Sequence, residues 1–226
     1  MYISPIDSQE YVEKFKTLKN SDAYKRTQLL IQKGKQVKNI VKKREFPCGN
    51  DLQIVKQFIV DIESWKYGME IRGCKPFYKR HLASNNASSI TNAVTDVCSS
   101  VQQNKSDADV LKHLNYLKGM GSINENTDMS KISQKMASAV LRLLYPEKYG
   151  VVDWRIAAVL TNSKGSNSKL RDNFKTINAS DASEMFELYR IISKQVLNDT
   201  GEKISPGDIE SVLFDFSFQL YPINYS

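Results

Sequence analysis

Apolar side chains recur along most of this chain at steps of three and four residues. Leu52, Val55, Phe58, Ile59 and Ile62 form one such stripe, and Ile90, Val94, Val97 and Val101 form another. Val110, Leu111, Leu114 and Leu117 follow, then Met136, Ala139, Val140, Leu143 and Leu144. Two more stripes comprise Met185, Leu188, Tyr189, Ile192 and Val196, and then Ile209, Val212, Leu213, Phe216 and Leu220. This stepping puts each set on one face of an α-helix, whereas a half-buried strand alternates every second residue, a pattern nearly absent here. The expectation is an all-α protein of about eight or more helices with little or no sheet.

Punctuation along the chain agrees. Ser205 before Pro206 offers a capping hydroxyl ahead of a first-turn proline, where the missing N–H costs little. Asp181 with Glu184 has the spacing of a capping box, and Gly201 stops the stripe that precedes it. Loops are expected near Pro47–Asn50, Gly73–Pro76, Gly121–Asp128 and Thr161–Lys169. Residues 14–44 read as one or two basic helices, with Tyr24, Val37, Ile40 and Val41 giving a partial apolar face.

Composition narrows the class. The chain has 226 residues, 41% of them hydrophobic, which suits one helical unit spanning 1–226. No apolar run approaches the roughly 18 residues a membrane helix needs, and the polar, acidic start is unlike a secretory signal, so a cytoplasmic, non-membrane protein is expected. Cys48, Cys74 and Cys98 are odd in number and widely spaced, and two histidines, His81 and His113, cannot build a metal site alone. No metal and no cofactor is expected. The formal net charge is +7, unevenly spread. Residues 1–50 hold eleven Lys/Arg against five Asp/Glu, and residues 171–226 five against nine. A basic N-terminal segment attracts polyanions, nucleic acid above all, although a merely solvated lysine-rich helix has the same composition.

Candidate chemistry concentrates in residues 117–160. Leu117-Lys118-Gly119-Met120-Gly121 follows an amphipathic helix. A Gly-x-Gly turn exposes backbone N–H groups that bind a phosphate oxygen without reading sequence, and Lys118 adds charge. A tight turn alone explains the same glycines. A polar loop leads to Ser133-Gln134-Lys135-Met136-Ala137-Ser138-Ala139, and after Tyr149-Gly150 comes Val151-Val152-Asp153-Trp154-Arg155. Asp153 stands where a helix N-cap belongs, a role compatible with facing a cleft. Lys135 borders an apolar stripe.

Leu117–Gly121, Lys135-Met136-Ala137 and Val152-Asp153 together resemble the hairpin, alanine-rich helix and aspartate of the helix-hairpin-helix base-excision glycosylase superfamily (HhH-GPD), in the lysine-bearing branch typified by 8-oxoguanine glycosylase. The likeness extends loosely over roughly residues 50–220, including Trp65-Lys66 and Asn85-Asn86. It implies a two-lobed helical fold with a DNA-binding cleft. It also implies a monomer that flips a base out of double-stranded DNA and excises it. Asp153 would stabilise the sugar cation and Lys135 would attack as a Schiff-base nucleophile, with Lys131 one turn earlier as the charge favouring a neutral amine or as the nucleophile itself. Lys118, Gly119, Gly121, Ser133 and Gln134 would contact DNA, and Trp65 or Trp154 would stack on a base or pack in the core. The substrate would be an oxidised purine or a modified base of foreign, phage DNA. Two departures stand out: Lys118 replaces the hairpin proline, and residues 122–134 separate the turn from Lys135. Either that loop is an insertion or the hairpin is Met129–Ser133. The iron–sulfur loop of the endonuclease III branch is absent. A non-catalytic helix-hairpin-helix module that binds DNA for a partner, and a helical scaffold with no DNA role, are the competing readings. Asparagine caps helices about as well as aspartate, so Asp153→Asn should abolish base release with little change in stability or DNA binding.

Overall fold

A computed structural model describes residues 4–43, 49–66 and 81–222. Among them the chain forms ten α-helices, one 3-10 turn at Met129–Lys131, and no strand. The all-α expectation therefore holds. The basic N-terminal segment forms two helices, α1 (Ser8–Leu18) and α2 (Asp22–Lys43). The stripes become α3 (Asn50–Lys66), α4 (Ala87–Gln102), α5 (Asp107–Asn115), α6 (Lys135–Leu144), α9 (Ala179–Thr200) and α10 (Pro206–Leu220), with short helices α7 (Trp154–Leu160) and α8 (Asn167–Asn173) between them. None of the described helices is long and apolar enough to cross a membrane.

Caps decide the helix ends. Ser205 accepts from the Asp208 N–H with Pro206 in the first turn, and Gly201 ends α9 in the left-handed region. Two boundaries differ from expectation. The capping box lies at Asn178 and Asp181 rather than at Asp181 and Glu184, because Asn178 reaches the N–H groups of Ser180 and Asp181. The loop expected over 161–169 ends at Ser166, whose hydroxyl caps α8 by accepting from the Lys169 N–H. The expected loop at Gly73–Pro76, like Cys48 and Cys74, lies outside the described residues.

Helix α6 is the centre of the molecule. Every residue from Met136 to Leu144 is buried, and α2, α3 and α5 pack on it. A helix apolar nearly all round belongs inside a core. The exception is Arg142, fully buried, its guanidinium 3.3 Å from Asp208 and 3.5 Å from Glu210 on α10. α1, α9 and α10 pack together, α7 lies on α10, and α8 on α7. The start of α6 and the start of α7 are thus held by helices from both halves of the sequence.

Candidate active site

The segment between α6 and α7 delivers Asp153. The Val152 N–H donates to the Ser138 hydroxyl at 3.0 Å, tying the loop to α6 one turn after Lys135. The Tyr189 hydroxyl donates to the Val151 carbonyl at 3.0 Å. Pinned from both sides, the chain turns at Asp153 in an extended conformation and enters α7. One oxygen of Asp153 accepts from the Arg155 N–H at 3.1 Å, so the carboxylate is a helix cap. Its other oxygen accepts from Lys66 Nζ at 3.3 Å. The two side chains are only 15% and 16% exposed, so this pair is largely withdrawn from water.

Lys135 opens α6 and crosses to the end of α8. Its Nζ donates to the carbonyls of Phe174 at 2.6 Å and Lys175 at 3.1 Å. A cation beside the carbonyl end of a helix is favourably placed. Burial holds the amine below the ordinary lysine range; Asp153 opposes this, while Lys66 and Arg171 reinforce it. Lys135 is thus near enough to Asp153, Lys66 and Arg171 to feel their charges, while its own hydrogen bonds go to the two carbonyls. Lys131 lies outside this group, exposed and paired with Asp128 at 3.2 Å. Behind the cluster, burial pushes the Glu210 carboxyl up to about 7, with Arg142, Lys66 and a backbone bond from Val151 pulling the other way.

Residues 117–121 form a tight turn, in which the N–H groups of Met120 and Ser122 donate to the Leu117 carbonyl. Gly119 and Gly121 have φ of +86° and +141°, and a Cβ on Gly121 would lie 2.9 Å from the Asn115 carbonyl oxygen. Both glycines and Lys118 are exposed. Among the described residues the N–H groups of Gly119 and Gly121 have no acceptor, whereas the Lys118 N–H donates to the Asn85 side chain at 2.9 Å. Asn115 and Gln134 clasp each other through reciprocal amide bonds of 3.0 and 3.1 Å, and Asn115 also donates to the Met120 carbonyl. The turn thus meets the start of α6 directly, and residues 122–131 form an excursion between them.

Gln134 is fully buried. Its side-chain N–H groups donate to Asn115 and Ile132, and its backbone N–H donates to Ile177, leaving no donor for a DNA phosphate. Ser133 has a buried hydroxyl with no partner. α6 has no side-chain cap. Trp154 is largely buried, with the guanidinium groups of Arg155 and Arg171 at 4.6 and 5.7 Å from its ring. Trp65 packs on the core and donates to the Thr27 hydroxyl. Trp65 is half-buried and borders a surface groove with Arg26, Leu29 and Lys33.

In the sequence Lys66 is noticeable only as the neighbour of Trp65, and Arg171 and Glu210 carry no motif. Lys66 and Asp153 are 87 positions apart, so packing alone makes them partners. Fold and site together define an all-helical protein with a lysine–aspartate–lysine cluster where three helix ends meet. Comparison of the chain with family models, with curated proteins and with solved structures gives no match.

Proposed function

We propose that this protein is a DNA glycosylase of the helix-hairpin-helix kind, with two helical lobes, that flips a base from duplex DNA and excises it. The observation that carries this reading is the convergence of a half-buried amine, Lys135, with the Asp153 carboxylate, the amine's proton affinity being lowered by its surroundings. A carboxylate at that place stabilises positive charge developing on the sugar as the base departs. An amine in its neutral form attacks C1′ and leads to a Schiff base. The exposed N–H groups of Gly119 and Gly121, with Lys118 beside them, supply sequence-independent phosphate contacts. The substrate is an oxidised purine or a modified base of foreign DNA, and the enzyme works as a cytoplasmic monomer.

A panel of duplexes with different damaged or modified bases, scored for abasic sites, tests the reading. On a cognate duplex, borohydride should trap a covalent adduct that Lys135→Gln abolishes and Lys131→Gln does not. Base release that survives Lys135→Gln undiminished, with no adduct at any pH, makes the enzyme monofunctional, with water activated by Asp153.

One observation favours a second reading. Asp153 caps α7, and Lys135 caps the end of α8, so both have structural work independent of catalysis. A non-catalytic hairpin module binds duplex DNA and releases no base from any member of the panel.

A further inference from the structure

We propose that Lys66 is the positioning residue of this site: its ammonium fixes the Asp153 carboxylate and keeps a second positive charge beside the Lys135 amine. The inference rests on the glycosylase reading for its chemistry, though not for its test.

The geometry gives each Asp153 oxygen one partner from a different direction. Oδ1 accepts from the Arg155 N–H within α7, and Oδ2 accepts from Lys66 at the end of α3. With both oxygens engaged the carboxylate cannot turn freely. The pair is also mostly out of water, unlike exposed ion pairs, whose worth is close to zero. Lys66 stands in the last turn of its helix, where a cation is favoured.

Lys135 is arranged to lose a proton without losing its position. Two carbonyls take two of its three N–H bonds. The neutral amine keeps both, and its lone pair lies along the third direction. The obstacle is Asp153, whose charge pulls a proton onto Lys135. Were Asp153 unpaired, its full charge would hold the proton on Lys135 more strongly. Lys66 neutralises the carboxylate and repels a proton from Lys135, with Arg171 on α8 acting in the same sense. Among the described residues, further charges acting on this group include Glu210 on α10, which interacts with both Lys66 and Asp153, and Arg142 on α6, paired with Glu210; Glu63 on α3 and Arg155 on α7 are buried charged neighbours on the same helices.

In the reaction, the Lys135 nitrogen lone pair forms a bond to C1′ as the C1′–base bond breaks, its electron pair leaving on the base. The amine proton passes to Asp153. The C1′–O4′ bond then opens, the nitrogen forms a double bond to C1′, and O4′ takes the proton from Asp153. Lys66 touches no reacting atom.

The test reads Lys135 itself, in the full chain without DNA. Lysines are labelled with limiting acetic anhydride across a range of pH, and acetylation at Lys135 is followed by mass spectrometry. Lys66→Met and Lys66→Gln should move the Lys135 midpoint to higher pH, and a move of about one pH unit lowers labelling about tenfold at any pH well below the wild-type midpoint. Lys66→Arg, which keeps the charge, should track the wild type. A midpoint unchanged in both neutral variants overturns the inference, and so does Lys66→Arg behaving like Lys66→Met. Borohydride trapping on a cognate duplex adds an independent arm: Lys66→Met should regain adduct as pH rises, which a merely structural loss would not do. A shifted midpoint with no excision from any duplex upholds the role of Lys66 and overturns the glycosylase reading alone.

Discussion

Asp153 has two duties on one side chain, and they respond differently to substitution. As a cap it needs only an oxygen toward the Arg155 N–H, which asparagine supplies. As the counter-charge of Lys66 it needs to be an anion. The sequence, which shows only the cap, predicts that Asp153→Asn barely changes stability. The pairing with Lys66 corrects this. Asp153→Asn should lose about 1–3 kcal/mol in chemical denaturation, since a largely buried ammonium is left unpaired. The loss should shrink in the double variant with Lys66→Met. Base release should fall to background in both, while affinity for duplex DNA stays within a few-fold of wild type. A single variant as stable as wild type would show that the ion pair contributes nothing.

At the scale of elements, the Gly119–Gly121 turn depends on contacts that close a gap in sequence. Gly121 must be glycine for two reasons: its φ lies where side chains are strained, and a Cβ would press on the Asn115 carbonyl. Gly121→Val should weaken binding to all duplexes alike and lower stability by about 1–3 kcal/mol. Asn115→Ala is expected to be worse for the fold, because it strands the buried amide of Gln134 and the Met120 carbonyl, about 1–3 kcal/mol for each group left unsatisfied. Thermal melts and binding isotherms of the two variants separate these effects. Helix spacing made α3, α4, α5, α6, α9 and α10 legible in the sequence, since one apolar face at period 3.6 has a single physical solution. The joining of Gly119–Gly121 to the start of α6 was not legible. Residues 122–131 carry no apolar pattern, and nothing local to Asn115 names Gln134 as its partner.

At the scale of the whole molecule, charge is the controlling quantity. The net charge of +7 and the basic bias of residues 1–50 predict duplex binding that weakens steeply with salt, as neutralised phosphates release their counterions. Affinity indifferent to salt in a titration would remove the DNA reading. Glu210 predicts how stability depends on pH. Its folded-state pKa is raised from 4.5 to about 7, mainly by burial. Below about 4.5 the carboxyl is protonated in both states. Between there and about 7 the unfolded chain releases the proton and the folded protein keeps it, so stability falls as pH rises through that window. Above it the loss is constant, about 3 kcal/mol by this shift. Glu210→Gln should therefore match wild type near pH 4.5 and exceed it near pH 8, provided Arg142 keeps Asp208 as its partner. Urea denaturation at the two pH values checks the sign.

What the sequence determined by itself is the helical class, most helix positions, several caps, and two residues of the candidate site. These are local properties: a repeating apolar face, a capping oxygen before a helix, a glycine in a turn. Tertiary structure decided which charges meet. Lys66 pairs with Asp153 because α3 ends where α7 begins, and Lys135 reaches the carbonyls of Phe174 and Lys175 because α8 ends beside the start of α6. Gln134, which the sequence offers as a DNA contact, is turned inward by its clasp with Asn115. Electrostatic partnership depends on distance in space and on exclusion of water, and neither is set by a residue's neighbours along the chain.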